Sequence, residues 1–110
     1  MDTDAALAAL SALSHPTRLD AFRLLMKHEP DGLSTGALVD ASGLSQSTFS
    51  THLAVLGKAG LVTADKQGRH QIQRASIDAL RALMTFFAKD CCGGRAELCE
   101  PLLAELSSYC

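Results

Sequence analysis

Tryptophan is absent from this sequence and tyrosine occurs once, so a core must be built from aliphatic side chains and a few phenylalanines. Long apolar runs are absent as well. None approaches the roughly 20 residues of a membrane-spanning helix, so no membrane segment and no membrane partner are expected. The opening Met1-Asp2-Thr3-Asp4 is acidic and leads into only the six apolar residues Ala5 to Leu10. A secretory signal needs a basic start and a longer apolar stretch, so none is read here and a cytoplasmic protein is expected. Cysteine is missing until late: Cys91, Cys92, Cys99 and Cys110 all fall in the last twenty residues. A secreted disulfide scaffold spreads its cysteines along the chain, so these four are read as thiols in a reducing compartment. A basic excess is lacking too, since the net charge is −2. Blanket attraction to nucleic acid is therefore excluded, and any such contact must be local. At 110 residues the chain is a single domain, residues 1–110, able to bury roughly 60–70% of its unfolded surface.

The charge that is present is unevenly placed. From Gln46 to Ala75, Lys58, Lys66, Arg69 and Arg74 stand against Asp65 alone, a local +3 that leaves −5 for the rest of the chain. Within that segment, Leu44 to Gly60 reads as a helix over about 45–59, capped by Ser45 and stopped at Gly60. Phe49, Leu53 and Leu56 form its inner stripe at i, i+4 and i+7. The opposite face carries Ser47, Ser50, Thr51, Ala54 and Lys58, which are short or basic and include no acid. An ordinary solvated face would mix Glu with Lys. A face meant for a DNA major groove needs short donors and acceptors for base edges and no carboxylate against phosphate. Ser47, Ser50 and Thr51 are the base-edge candidates, with Gln46 and His52 as backbone candidates and Lys58 on the same surface. A plain amphipathic surface helix is the competing reading of this stretch taken alone.

The neighbouring segments supply the context. An alanine-rich helix over 4–13 spaces Leu7, Leu10 and Leu13 by three. Ser14-His15-Pro16 breaks it and opens a second helix over 16–27, with Leu19, Phe22 and Met26 predicted on its inner face. Glu29-Pro30-Asp31-Gly32 is a turn. Ser34 caps a short third helix over 35–41, and Ser42-Gly43-Leu44 turns directly into the 45–59 helix, which is helix-turn-helix spacing. The period then changes. Residues 61–66 and 69–74 alternate around Gln67-Gly68 and predict a hairpin, a wing over about 61–75 with Lys66, Arg69 and His70 at its tip. Lys66 and Arg69 are its phosphate candidates. Ser76 caps a fifth helix ending near Asp90, and Glu100-Pro101 marks the start of a last small helix. The first and fifth helices carry more apolar surface than a core of this size can cover. A homodimer joined through them is expected, placing two recognition helices about one DNA turn apart.

The segments Ala9-Leu10-Ser11-Ala12-Leu13-Ser14-His15-Pro16-Thr17-Arg18-Leu19 and Leu44-Ser45-Gln46-Ser47-Thr48-Phe49-Ser50-Thr51-His52-Leu53, followed by Leu56, Ala59-Gly60-Leu61-Val62 and Gly68-Arg69, resemble the ArsR/SmtB family. The resemblance covers about residues 7–90. It implies a mainly α winged helix-turn-helix fold with a small β-hairpin: five main helices, a two-stranded wing and a homodimer on double-stranded operator DNA. It also implies a repressor that releases DNA on binding a metal or metalloid. One class of the family carries cysteines on the third helix; here that helix opens Ser34-Thr35-Gly36-Ala37-Leu38, without any. The zinc class carries Asp and His on the fifth helix; here Asp78 stands with no histidine after His70. The remaining candidate is the segment over 91–99, Cys91-Cys92 then Cys99. It resembles the arsenite-responsive members with a Cys-Cys pair and a third Cys after the fifth helix.

Three thiols suit As(III) or Sb(III), which are soft, three-coordinate and pyramidal, better than zinc, which takes four ligands. Cys91 and Cys92 give two sulfurs on one backbone step. The seven-residue step from Cys92 to Cys99 reaches up to roughly 23 Å, so closure within one subunit is easy. Thiols at a helix C-terminus face the negative end of its dipole, so binding must displace their protons and affinity should rise with pH. Alternatives are a redox or reactive-sulfur sensor and a sensor of another soft metal (Cd, Pb or Cu). A thiol enzyme would place a low-pKa cysteine at a helix N-terminus beside a base or resolving partner. The Cys91-Cys92 pair ends a helix and no Cys-x-x-Cys is present, so no enzyme is expected.

Overall fold

The computed structural model of the protein describes residues 1–91 and 95–109. Local capping chemistry sets nearly every boundary. Helix α1 (Thr3–Leu13) starts where Asp2 Oδ1 accepts the Ala5 N–H at 2.7 Å. Helix α2 (Pro16–Lys27) has Pro16 at its first position, where the missing N–H costs nothing, and His15 Nδ1 accepts the Thr17 N–H at 3.1 Å. Strand β1 (Leu33–Ser34) runs into α3 (Thr35–Ser42), capped by Ser34 Oγ on the Ala37 N–H at 3.1 Å. Gly43 takes φ +71°, closing α3 in the left-handed conformation and redirecting the chain. Ser45 Oγ then caps α4 (Gln46–Lys58) on the Thr48 N–H at 3.2 Å. Strands β2 (Val62–Gln67) and β3 (His70–Ala75) pair antiparallel from Val62 opposite Ala75 to Gln67 opposite His70. Ser76 caps α5 (Ile77–Phe86), which continues as a π-helical turn over Phe87–Cys91. Helix α6 (Ala96–Ser107) follows.

The helix-turn-helix is α3 and α4, and the wing is β2 and β3, as the sequence predicts, with the two-residue turn at Gly68-Arg69, one residue later than expected. Three further expectations are corrected. The sheet has three strands in the order β1-β3-β2, because Leu33 and Ser34 pair with Gln73 and Ile72. A two-residue ladder is too short to show alternation in sequence. There are six helices among the described residues, not five and a small terminal one, since α6 starts at Ala96 and runs through Pro101. Pro101 removes one intrahelical bond, the one to the Glu97 carbonyl, and the leucine spacing at 98, 102, 103 and 106 carries the helix past it. The inner face of the second helix also differs, whereas in α1 the small residues Ala6, Ala9 and Ala12 are buried and Leu7 (57%) and Leu10 are left exposed, in keeping with the surplus apolar face read from the sequence. In α2 it is Ala21, Phe22 and Leu25 that are buried and Leu19 that is exposed.

The core is aliphatic, as the missing tryptophan requires: Leu25, Leu38, Leu56 and Leu61 with Phe22 and Phe49. The alanine stripe lets α1 lie close against α2, α4 and α5. Leu83 of α5 belongs to this core at 4% exposure and so is not part of an unpartnered face. No helix among the described residues is long and apolar enough to cross a membrane.

Gly32 locks the entry to β1 against β3. It holds φ +74°, and a Cβ there would collide with the Gln73 carbonyl and crowd Arg74 Cγ at 2.8 Å. The carbonyl is strand backbone and cannot swing aside. Gly32→Ala is expected to cost about 2–4 kcal/mol from left-handed strain plus overpacking, read as a lowered urea midpoint with unchanged slope.

Candidate nucleic-acid interface

The α4 stripe of Phe49, Leu53 and Leu56 seats the helix on the core, which turns its other side outward. Gln46, Ser47, Ser50, Thr51 and Lys58 are all exposed there. Hydroxyls organise the first turn: Ser45 Oγ donates to Thr48 Oγ1 at 2.9 Å and lies 3.4 Å from Ser47 Oγ. Thr51 Oγ1 donates to the Ser47 carbonyl at 3.3 Å, which leaves its lone pairs outward as acceptors. Lys58 sits in the last turn, where the helix dipole favours a cation. Between this face and the wing runs an open groove lined by Ser50, Leu53, Ala54, Gly57, Ala64 and Gln71.

The wing presents a smaller cationic set than a residue count suggests. Arg74 is tied down, its Nη1 on Asp65 Oδ2 at 3.2 Å and its Nε on the Pro30 carbonyl at 3.1 Å. Lys66 and Arg69 are exposed, and among the described residues neither has a carboxylate partner. Arg69 lies in the two-residue turn and Lys66 one pair below it. These two cations at the tip are what the wing offers a phosphate. Arg69→Ala should weaken binding to all duplexes alike and flatten the slope of log affinity against log salt by about one unit. A changed sequence preference with an unchanged slope would remove Arg69 from the phosphate role.

His52 occupies a different position from its neighbours on α4. It is half-buried and turned toward the α1–α2 junction. Its Nδ1 lies 3.1 Å from Arg18 Nη1, and its ring sits 4.3 Å from that of His15. Burial of the ring, and then the charges of His15 and Arg18, hold its pKa below the ordinary imidazole value. Sequence reasoning also missed Gln73, the buried polar residue of β3. Its Nε2 donates to Thr35 Oγ1 at 3.1 Å, and Thr35 Oγ1 donates to the Gln71 carbonyl at 3.4 Å, which binds the wing to the start of α3. An amide at an inward position of the alternating strand was the available signal.

Of the cysteines, Cys99 is half-buried in the first turn of α6, with its Sγ donating to the Ala88 carbonyl at 3.8 Å. Cys91 ends the π-turn. Its side chain, Cys92 and Cys110 lie outside the described residues. Among the described residues no group of three metal-binding side chains comes together. Arg95 Nε binds Glu97 Oε1 at 2.8 Å beside Cys99, and this hydrogen bond keeps the Glu97 carboxyl below its usual range.

A helix-turn-helix domain family matches residues 13–64, which span α2 through the first half of β2. The nodulation protein NolR of Rhizobium meliloti is 34% identical over 83 residues, 76% of this chain and 66% of that protein, slightly under two thirds of its length. The HTH-type transcriptional regulator YgaV of Escherichia coli K12 is 34% identical over 79 residues, 72% of this chain and 78% of that protein. Among solved structures, one described as a possible transcriptional regulator for arsenical resistance superposes with TM-score 0.63 at 34% identity, covering 72% of this chain and 79% of its own. A homodimeric winged helix-turn-helix DNA-binding domain from Mycobacterium bovis, described as a possible ArsR-family regulator, superposes with TM-score 0.64 at 28% identity over 74% of each chain.

Proposed function

This chain belongs to the ArsR family of winged helix-turn-helix, DNA-binding transcriptional regulators, and from that premise we propose that it is a homodimeric repressor whose operator is released when As(III) or Sb(III) binds Cys91, Cys92 and Cys99. The observation that carries the inducer reading is the placement of Cys99. Helix α6 folds back so that this sulfur reaches the Ala88 carbonyl, three residues before Cys91. The third thiol therefore lies against the helix end that delivers the first. The donor set also fits: three sulfurs and no imidazole select a soft, three-coordinate centre over zinc. The solved structure described as a possible transcriptional regulator for arsenical resistance adds support from outside the chain.

In this reading Ser47, Ser50 and Thr51 meet base edges, Gln46 and Lys58 meet the backbone beside them, and Lys66 and Arg69 meet phosphates from the wing. The α1 and α5 faces join the subunits. The test is the anisotropy of a labelled operator with and without arsenite, on wild type and on single Cys→Ser variants. Release by arsenite that survives Cys99→Ser would sink the site.

A further inference from the structure

Arg18 lies on α2, yet its guanidinium hydrogen-bonds both α1 and α4. Its Nε donates to the Ala12 carbonyl at 2.6 Å, at the end of α1. Its Nη1 reaches His52 Nδ1 at 3.1 Å, in the middle of α4. One planar guanidinium thus spans a helix C-terminus and the helix that carries the base-edge candidates. Both contacts are partly buried, where a charge-assisted bond holds its geometry better than at the surface. His15 closes the arrangement from the α1–α2 turn, its ring on His52 and its own Nδ1 engaged in capping α2.

We propose that Arg18 and His52 form a proton-sensitive strut that positions the recognition helix on α1, so that acid weakens operator binding through His52. It rests on the reading of DNA by α4 and is independent of any metalloid. The chemistry is in the acceptor. An arginine N–H can bond His52 only while Nδ1 keeps its lone pair. Protonation puts an N–H against an N–H and a positive charge against Arg18. The groups facing His52 are Arg18 from α2 and His15 from the α1–α2 turn, both repelling an added proton. The other elements packed on α4, namely α1, α3 and β2, bring no charge to it among the described residues. Burial acts in the same direction. The strut is therefore intact above the ordinary imidazole pKa of about 6.5 and is lost as pH falls below it through the lowered value.

The sign separates this role from a direct phosphate contact. A histidine on a phosphate binds better when protonated, so acid would tighten binding. The experiment is operator anisotropy between pH 7.5 and 5.5 at fixed salt, for wild type, His52→Asn and Arg18→Lys. Asn places an acceptor where Nδ1 stood and does not titrate, and the ratio of wild type to His52→Asn cancels the exposed His70 and His28. Wild-type affinity should fall about threefold to tenfold relative to His52→Asn over this range, within the span of a one-unit protonation difference. Lysine keeps the charge but cannot reach both acceptors at once. Arg18→Lys should lose several-fold at the operator at pH 7.5, leave binding to random duplex unchanged, and flatten the pH ratio. Circular dichroism at both pH values confirms that each variant is folded. Parallel pH profiles for wild type and His52→Asn, or tighter relative binding by wild type in acid, overturn the proposal. So does an Arg18→Lys protein that behaves as wild type.

Discussion

Saturating arsenite should lower operator affinity about 5–150-fold in the wild-type protein, the range of a typical 1–3 kcal/mol coupling between sites. Cys91→Ser, Cys92→Ser and Cys99→Ser should bind operator as wild type does and keep it in arsenite. Cys110→Ser should respond fully. The effect is expected from the order of the segments that carry the cysteines, the π-helical turn and then α6. Bringing three sulfurs onto one centre would tie the start of α6, already against the Ala88 carbonyl, to the end of the π-helical turn. Helix α5 has Leu83 locked in the core but leaves Met84 exposed, as the π-helical turn leaves Phe87. Leu83 makes α5 hard to move within its own subunit, so the strain appears as a shift of the subunits against each other. The two α4 helices then no longer fit half-sites at fixed spacing. Reciprocity requires operator DNA to weaken arsenite binding by the same factor. The titration should run in a phosphine reductant, because dithiols compete for arsenite. Arsenite affinity should rise with pH as thiol protons are displaced. Release by zinc and not arsenite would overturn the assignment. Release by an oxidant alone, reversed by reductant, would move the function to thiol redox sensing.

What was legible in the sequence was local. Ser45, the Phe49-Leu53-Leu56 stripe and the break at Gly43 each act within one or two turns, so the recognition helix and its neighbours could be placed to within a residue or two. The wing was legible because its turn and both strands are adjacent. What was not legible depends on distance or on degeneracy. Arg18 meets His52 across 34 residues, and Gln73 meets Thr35 across 38. No periodicity records such a pairing. In α1 the alanines at 6, 9 and 12 repeat with the same spacing as Leu7, Leu10 and Leu13. Period alone could not say which stripe turns inward. Close approach to α2, α4 and α5 selected the alanines, and that choice is what leaves leucine outside. Helix α6 was hidden by Pro101, which signals a helix start more often than a sixth position.

Placing aspartate on the outward stripes should separate the subunits and cost operator binding about 10²–10⁴-fold, the avidity lost when two linked sites become independent. The variant is Leu10→Asp with Met84→Asp. These side chains are 40% and 52% exposed in the isolated subunit, so the change leaves the core untouched. Helices α1 and α5 pack against each other, and each leaves apolar side chains in solvent: Leu7 and Leu10 on one, Ile77 and Met84 on the other, with Phe87 in the turn that follows. The described side chains of α6, apart from Cys99, are all exposed and include four leucines. These exposed side chains are what the proposed subunit interface would cover. An unpaired carboxylate buried there costs several kcal/mol per ion, enough to shift the dimer to monomer at micromolar concentration. Light scattering should show wild type at about twice the 11.6 kDa subunit mass and the variant at the subunit mass itself. Far-ultraviolet circular dichroism should coincide for the two proteins. The monomer keeps one α4 and one wing, so it retains weak, salt-sensitive binding to any duplex and loses the gain from paired half-sites. A variant that stays dimeric would take the interface away from α1 and α5 and leave the leucines of α6 as the remaining apolar face. A clean monomer that still binds operator as tightly as wild type would mean that one recognition helix reads the site alone.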